Sequence, residues 1–179
     1  RPKTSRQVKS DTIGKAGTGA LFDEAEIPEM EEPDPELVAK AIQSRKRRLK
    51  RHNLIVRRIA KVLEENGAEL YEYPFDCLAC FQSIGLLVEV KTLDGSGPDE
   101  RERVRDALSQ LLYYESFVTQ PLVDQRSVIK VGCFETKPSD EHIRWLEQSD
   151  ICVIWLSDES FHTSDSSRAE LGEYFDFPS

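Results

Sequence analysis

The sequence predicts an α/β fold in which helices pack on a central β-sheet, and three observations carry that expectation. Residues 86–92 are mainly apolar, the pattern of a central strand buried on both faces. Strand-like apolar runs recur at residues 127–134 and 151–156. Between and before these runs lie helical segments with start and stop signals. At 179 residues the chain suits one domain with a full core.

Residues 1–33 are polar to acidic and are expected to form an arm or linker. Gly14, Gly17 and Gly19 punctuate a stretch without periodicity, and no strand precedes them to make a phosphate-cradling loop. Leu21, Phe22, Ile27 and Met30 are isolated apolar anchors in the acidic part. Asp34-Pro35 is a helix start, an N-cap acid followed by proline at the first helical position. Helical periodicity then continues to the stop signal Asn66-Gly67. So long a helix in a small domain is expected to break near residues 44–48. Its second part places Ile55, Ile59, Val62, Val56, Ala60 and Leu63 on a broad apolar face.

The next expected element is a strand over residues 75–81, with residues 69–73 as its extension and residues 82–85 as a turn. After the 86–92 strand comes a flexible connection, Leu93-Asp94-Gly95-Ser96-Gly97-Pro98. Asp99 and Glu102 have the spacing of a capping pair for a helix over residues 100–118, with Val104, Leu108, Leu111 and Leu112 on its core side. A strand over 127–134, a short helix over 141–147 and a strand over 151–156 follow. The core domain is thus set at residues 34–157, and residues 158–179 read as an acidic tail with Phe161, Tyr174, Phe175 and Phe177 as anchors.

Into the 86–92 strand the chain places Glu89 and Lys91, and the preceding strand supplies Asp76. Residues two apart on a strand share a face, so Glu89 and Lys91 lie side by side with Val90 turned away. Charges are costly to bury unless they are paired or bind a metal. Two readings follow, a structural ion pair at a sheet end or a functional site. The next helix adds Gln110-Leu111-Leu112-Tyr113-Tyr114.

Asp76, then twelve residues, then Glu89-Val90-Lys91, resembles the PD-(D/E)xK nuclease superfamily. Its usual Pro-Asp is stretched here to Pro74-Phe75-Asp76. The helix run resembles the QLxxY motif of RecB-like nuclease domains, carried by Gln110, Leu111 and Tyr114. The resemblance covers about residues 49–156 and implies a restriction-endonuclease-like fold with a central mixed sheet flanked by helices. It implies Mg²⁺ as cofactor, with Mn²⁺ able to substitute, held by Asp76, Glu89 and the Val90 carbonyl. Oxygen ligands from a few carboxylates are what Mg²⁺ prefers. Lys91 would orient or deprotonate the attacking water or hold the phosphate, and Gln110 and Tyr114 would bind the phosphate or a metal-bound water. In the superfamily the leading helix often sends a Glu toward the metal. This chain has no acid there, since Glu64 and Glu65 come too late; His52 and Asn53 are the accessory candidates, with capping or core-edge roles as the alternative. Arg105 matches an Arg that precedes Gln in several restriction-like relatives.

The implied activity is metal-dependent hydrolysis of DNA phosphodiester bonds, as an endo- or exonuclease, in analogy with restriction and phage-defence nucleases. A binding or scaffolding module without catalysis and an RNA-cleaving effector are the alternatives. The net charge of −9 is unlike that of a nucleic-acid binder, but it is unevenly spread. Residues 23–36 hold eight acids and no base, whereas residues 45–61 hold nine Lys/Arg and no acid. Arg47, Arg48, Arg51 and Arg57 in this stripe are candidates to meet a phosphate backbone, or they form a solvated helix face. DNA is the expected partner and RNA the second. A homodimer or a larger assembly is a further expectation, and the acidic segment is a candidate to compete for the basic stripe. The chain begins at Arg1, so a trimmed form or the terminal part of a longer protein is expected. Cys77, Cys80, Cys133 and Cys152 all fall in expected strands. Alternation sends Cys77 and Cys80 to opposite faces, and the cysteine group of iron–sulfur RecB-like nucleases is absent. Buried reduced thiols, no membrane-length apolar run and no signal peptide fit a cytoplasmic protein.

Overall fold

A computed structural model describes residues 34–124 and 126–178. The acidic arm before Asp34 and its apolar anchors lie outside the described residues. By their contacts residues 1–40 and 41–179 form two units. Of the first, the described part is the start of α1 (Pro35–Glu65), where the Asp34 carboxylate accepts the Glu36 amide at 2.9 Å.

The second unit is an α/β structure built on a six-stranded mixed sheet. Its strands are β1 (Glu69–Tyr71), β2 (Cys77–Cys80), β3 (Ile84–Lys91), β4 (Ser127–Phe134), β5 (Ile151–Ser157) and β6 (Ser160–Thr163). They lie side by side in chain order. β1–β2–β3 is an antiparallel meander, β3–β4–β5 is parallel, and β6 returns antiparallel on β5. The parallel pairs need crossovers, supplied by α2 (Gly97–Phe117) with the short α3 (Gln120–Val123), and by α4 (Asp140–Glu147). Crossovers of one hand that step in one direction put their helices on one face. Val104, Ala107 and Leu111 of α2 and Ile143 and Leu146 of α4 accordingly share a cluster with Leu87, Phe134, Ile151 and Val153. The other face is covered by Ile55, Ile59 and Leu63 of α1, and by Leu171 of α5 (Asp165–Leu171) with Phe175 and Phe177.

Several expectations need correction. α1 does not break near residues 44–48; no Gly or Pro interrupts it, and it stops only where the Ala68 amide bonds to the Leu63 carbonyl and Gly67 takes a φ of 87°. Residues 69–71 form an edge strand of their own rather than extending β2. β2 begins at Cys77, after Phe75 and Asp76, and β3 begins at Ile84 because the reversal needs only residues 81–83, closed by the Phe81 amide on the Ile84 carbonyl. α2 is capped by the Ser96 hydroxyl, with Pro98 in its first turn, so it starts at Gly97. Asp99, read as the cap, instead turns its carboxylate to Arg48, Arg103 and the Asp94 amide. Residues 158–178 are not a tail: they supply β6 and α5 and bury Phe161, Phe175 and Phe177.

All four cysteines are buried and unpaired, with Cys77 and Cys80 in opposite clusters as alternation requires. Burial pushes the Cys77 thiol up to about 12 and that of Cys152 to about 11. Among the described residues no helix is long and apolar enough to cross a membrane.

Candidate functional site

The candidate site forms where β3 outruns β2. The β2–β3 register ends at Cys77 opposite Val88, so beyond that pair β3 has no strand partner on its β2 side. Asp76, the residue before β2, fills the gap: its Oδ2 accepts the Val90 amide at 2.8 Å. Within a strand the N–H and C=O of one residue point to the same side. The Val90 carbonyl therefore faces the same unpartnered edge, while the Lys91 carbonyl faces β4 and takes the Glu135 amide.

The same Oδ2 meets His52 Nε2 of α1 at 3.1 Å, and His52 Nδ1 lies 3.2 Å from Asn53 Oδ1. With acceptor oxygens at both ring nitrogens, the doubly protonated imidazole is favoured. The bond to Asp76 raises the His52 pKa above its ordinary 6.5, against the effect of burial.

On the opposite face, Glu89 and Lys91 stand side by side under α2. Lys91 Nζ donates to Glu89 Oε1 at 2.7 Å and to Gln110 Oε1 at 2.5 Å. Glu89 is only 4% exposed. Burial, and after it the Asp76 carboxylate, push its pKa up to about 7, although Lys91 and His52 pull it down. The two carboxylates thus sense each other through the strand end. Opposite Glu89 on β4 is Gly132, over which the Phe134 ring lies: a Cβ there would meet Phe134 Cε2 at 3.2 Å. Tyr114 stands one turn beyond Gln110, and its phenol is pushed up by burial and by Glu89. Its ring packs edge-on against Phe75 at 6.1 Å, bracing the loop that delivers Asp76.

The chemistry of the donor set suits a hard divalent cation. Two mutually repelling carboxylates and a backbone carbonyl off the ladder are oxygen donors of the kind Mg²⁺ takes while keeping waters. Among the described residues no group of three or more His, Cys, Asp or Glu side chains could hold a metal, so an all-side-chain cage is not what this site offers.

Beside these groups lies a pocket of about 260 Å³ lined by Arg45, Arg48, His52, Val90, Lys91 and Arg103. Arg48 reaches it but is bound to Asp99 at 2.8 Å and to Asp94 at 3.8 Å. Arg51 pairs with Glu135 at 3.1 Å, and the second Glu135 oxygen is buried without a partner among the described residues. Arg47 is exposed, and Arg57 lies along an outer groove of α1 with Lys46, Lys50 and Asn53. Arg105 is not gathered into the site. Five residues before Gln110, it sits about 140° around the helix and lines a different pocket with Arg101, His142 and Trp145.

Arg45, Arg103 and Glu135 were not among the sequence candidates. Seven residues before Gln110, Arg103 falls on the same side of α2, a spacing that could have found it. Glu135 ends an apolar strand run, a signal too common to single it out. No family model matches the chain, and no curated protein or solved structure matches it either.

Proposed function

We propose that the protein is a metal-dependent nuclease that hydrolyses phosphodiester bonds, with DNA as its first substrate, on a restriction-endonuclease-like PD-(D/E)xK centre. The observation that carries this reading is the meeting of Asp76, Glu89, Lys91 and Gln110 around the unpartnered end of β3. A structural ion pair accounts for Glu89 and Lys91, but not for a second carboxylate brought close enough to raise the pKa of the first.

The residues divide the work. Asp76 is held in orientation by the Val90 amide and His52, leaving Oδ1 for a ligand. Glu89, Asp76 and the Val90 carbonyl would hold Mg²⁺, with Mn²⁺ as its substitute. When bound, such an ion supplies charge neutralisation at the phosphate and a water acidic enough to attack it. Lys91 uses two of its three N–H donors on Glu89 and Gln110. The third is free for a phosphate oxygen or the attacking water. Gln110 fixes that ammonium in place, and Tyr114 braces the Asp76 loop through Phe75. Arg45, without an ion pair among the described residues, gives the adjoining pocket positive charge for a phosphate backbone, whereas Arg103 is held by Asp99 and Asp106. Buried free thiols fit action in a reducing, cytoplasmic setting.

The test is cleavage of linear, circular and single-stranded DNA and of RNA, with Mg²⁺ or with EDTA. Wild-type protein should cut DNA with Mg²⁺ alone. Asp76→Asn and Glu89→Gln should each lower the rate by about 100-fold or more while circular dichroism stays native. Full activity in either variant, or in EDTA, refutes the assignment.

A further inference from the structure

Along α2, Gln110, Tyr113, Tyr114 and Phe117 stand at positions i, i+3, i+4 and i+7, a single stripe of the helix surface. The stripe starts at Lys91, where Gln110 is bound, and runs outward for about 10 Å at 1.5 Å per residue. It becomes more exposed along its length. Tyr114 is half-buried, whereas Tyr113 is 57% and Phe117 74% exposed. The rings touch in series: Phe75 with Tyr114, Tyr114 with Tyr113 at 5.9 Å, and Tyr113 with Phe117 at 5.1 Å. A chain of aromatic contacts therefore leads from the loop carrying Asp76 to open solvent. The same loop holds Tyr73, 88% exposed, at a φ of 59° that a bulky residue seldom adopts.

Burying Tyr113 and Phe117 in the core would have been favourable, yet both rings face water beside the candidate site. The carboxylates flanking them are neutralised. Asp106 is bound by Arg103 at 3.3 Å and Glu115 by Lys130 at 2.9 Å. On α2 the patch thus offers π-faces whose neighbouring carboxylates are ion-paired, while the exposed Glu72 beside Tyr73 has no ion pair among the described residues.

We infer that Tyr113 and Phe117 form a stacking platform for unpaired nucleobases, so that the substrate enters the site as a single strand or a frayed end. This rests on the nuclease reading and names its substrate class. A duplex hides its base faces in the stack, and only an unpaired strand presents them to aromatic side chains.

Binding is measured in the Glu89→Gln background, so that cleavage does not interfere. Anisotropy is followed with a labelled oligothymidine and, separately, with a blunt duplex. Tyr113→Ala/Phe117→Ala should weaken single-strand binding about tenfold or more and leave duplex binding within about twofold. Tyr113→Trp/Phe117→Trp should keep single-strand affinity, because a larger ring stacks as well. Equal losses on both substrates, or no loss on the single strand, overturn the inference. So does a dimer in light scattering that the alanine pair converts to a monomer, since the patch would then be the seat of a second copy. In wild-type protein the cleavage assay separates the two ideas: no cleavage of any nucleic acid sinks the nuclease reading, whereas cleavage with unchanged strand preference in the alanine pair sinks the platform alone.

Discussion

Glu89 shows how a single buried carboxylate couples the site to stability. Its ordinary pKa of 4.5 becomes about 7 in the fold, chiefly by burial and then by Asp76. Between these values the folded chain holds a proton that the unfolded chain has lost. Stability is therefore complete below about pH 4.5 and falls as pH rises through 7, by about 3 kcal/mol in total. In EDTA the melting temperature of the wild type should drop between pH 5 and 8. Glu89→Gln should be flatter over that window and more stable at pH 8. If the variant melts with the same pH slope as the wild type, the charge at Glu89 is not the source. Mg²⁺ at pH 8 should restore the lost stability in the wild type alone, by mass action on the folded state. At this scale the sequence was legible where composition clashed with context: acids and a lysine inside apolar strands stood out. The His52–Asp76 bond was not, because it joins residues 24 apart whose meeting depends on how α1 lies on the sheet.

At the level of elements, α1 and α2 are tied across the site end by one ion-pair cluster. Arg48 of α1 reaches Asp99 of α2, which Arg103 also holds. Arg48 therefore serves the fold, and Arg48→Ala should cost about 1 kcal/mol, seen as a loss of about 2–4 °C in melting temperature. Arg47, exposed on the same helix, should behave in the opposite way. Arg47→Gln should leave melting unchanged and, if it meets a phosphate, reduce the slope of log K against log salt by about 0.9. An unchanged slope returns Arg47 to a solvated helix face. Periodicity could not separate these neighbours, since both lie in one basic run; only the position of Asp99 on another element distinguishes them. The expected helix break failed for a related reason. Length argued for it, but the local sequence contains nothing that breaks a helix. The strands were read more closely because each apolar run is bounded by turn residues, as β4 and β5 show.

The two faces of the sheet differ in how far apart in the chain their parts lie. The α2 face is assembled from residues 75–153, nearly consecutive pieces. The α1 face joins Ile55, Ile59 and Leu63 to Leu171, Phe175 and Phe177, with Phe175 stacked on Phe177 and edge-on to Phe161. The Asn66 amide closes the same seam on the Tyr174 carbonyl at 3.0 Å. Contacts of such separation form late, since the intervening chain must first be ordered. During synthesis the α2 face can therefore fold on the ribosome while α1 waits more than a hundred residues for the aromatic residues that seal it. Until Phe177 has emerged, the basic helix carrying His52 lacks its full seat on the sheet, and His52 cannot be held firmly against Asp76. Pulse-labelled hydrogen exchange during refolding should find α2 amides protected before those of α1. The nascent chain would thus carry its acidic site residues before the helix that orients them is seated, and any nuclease activity would begin only once Phe177 has emerged.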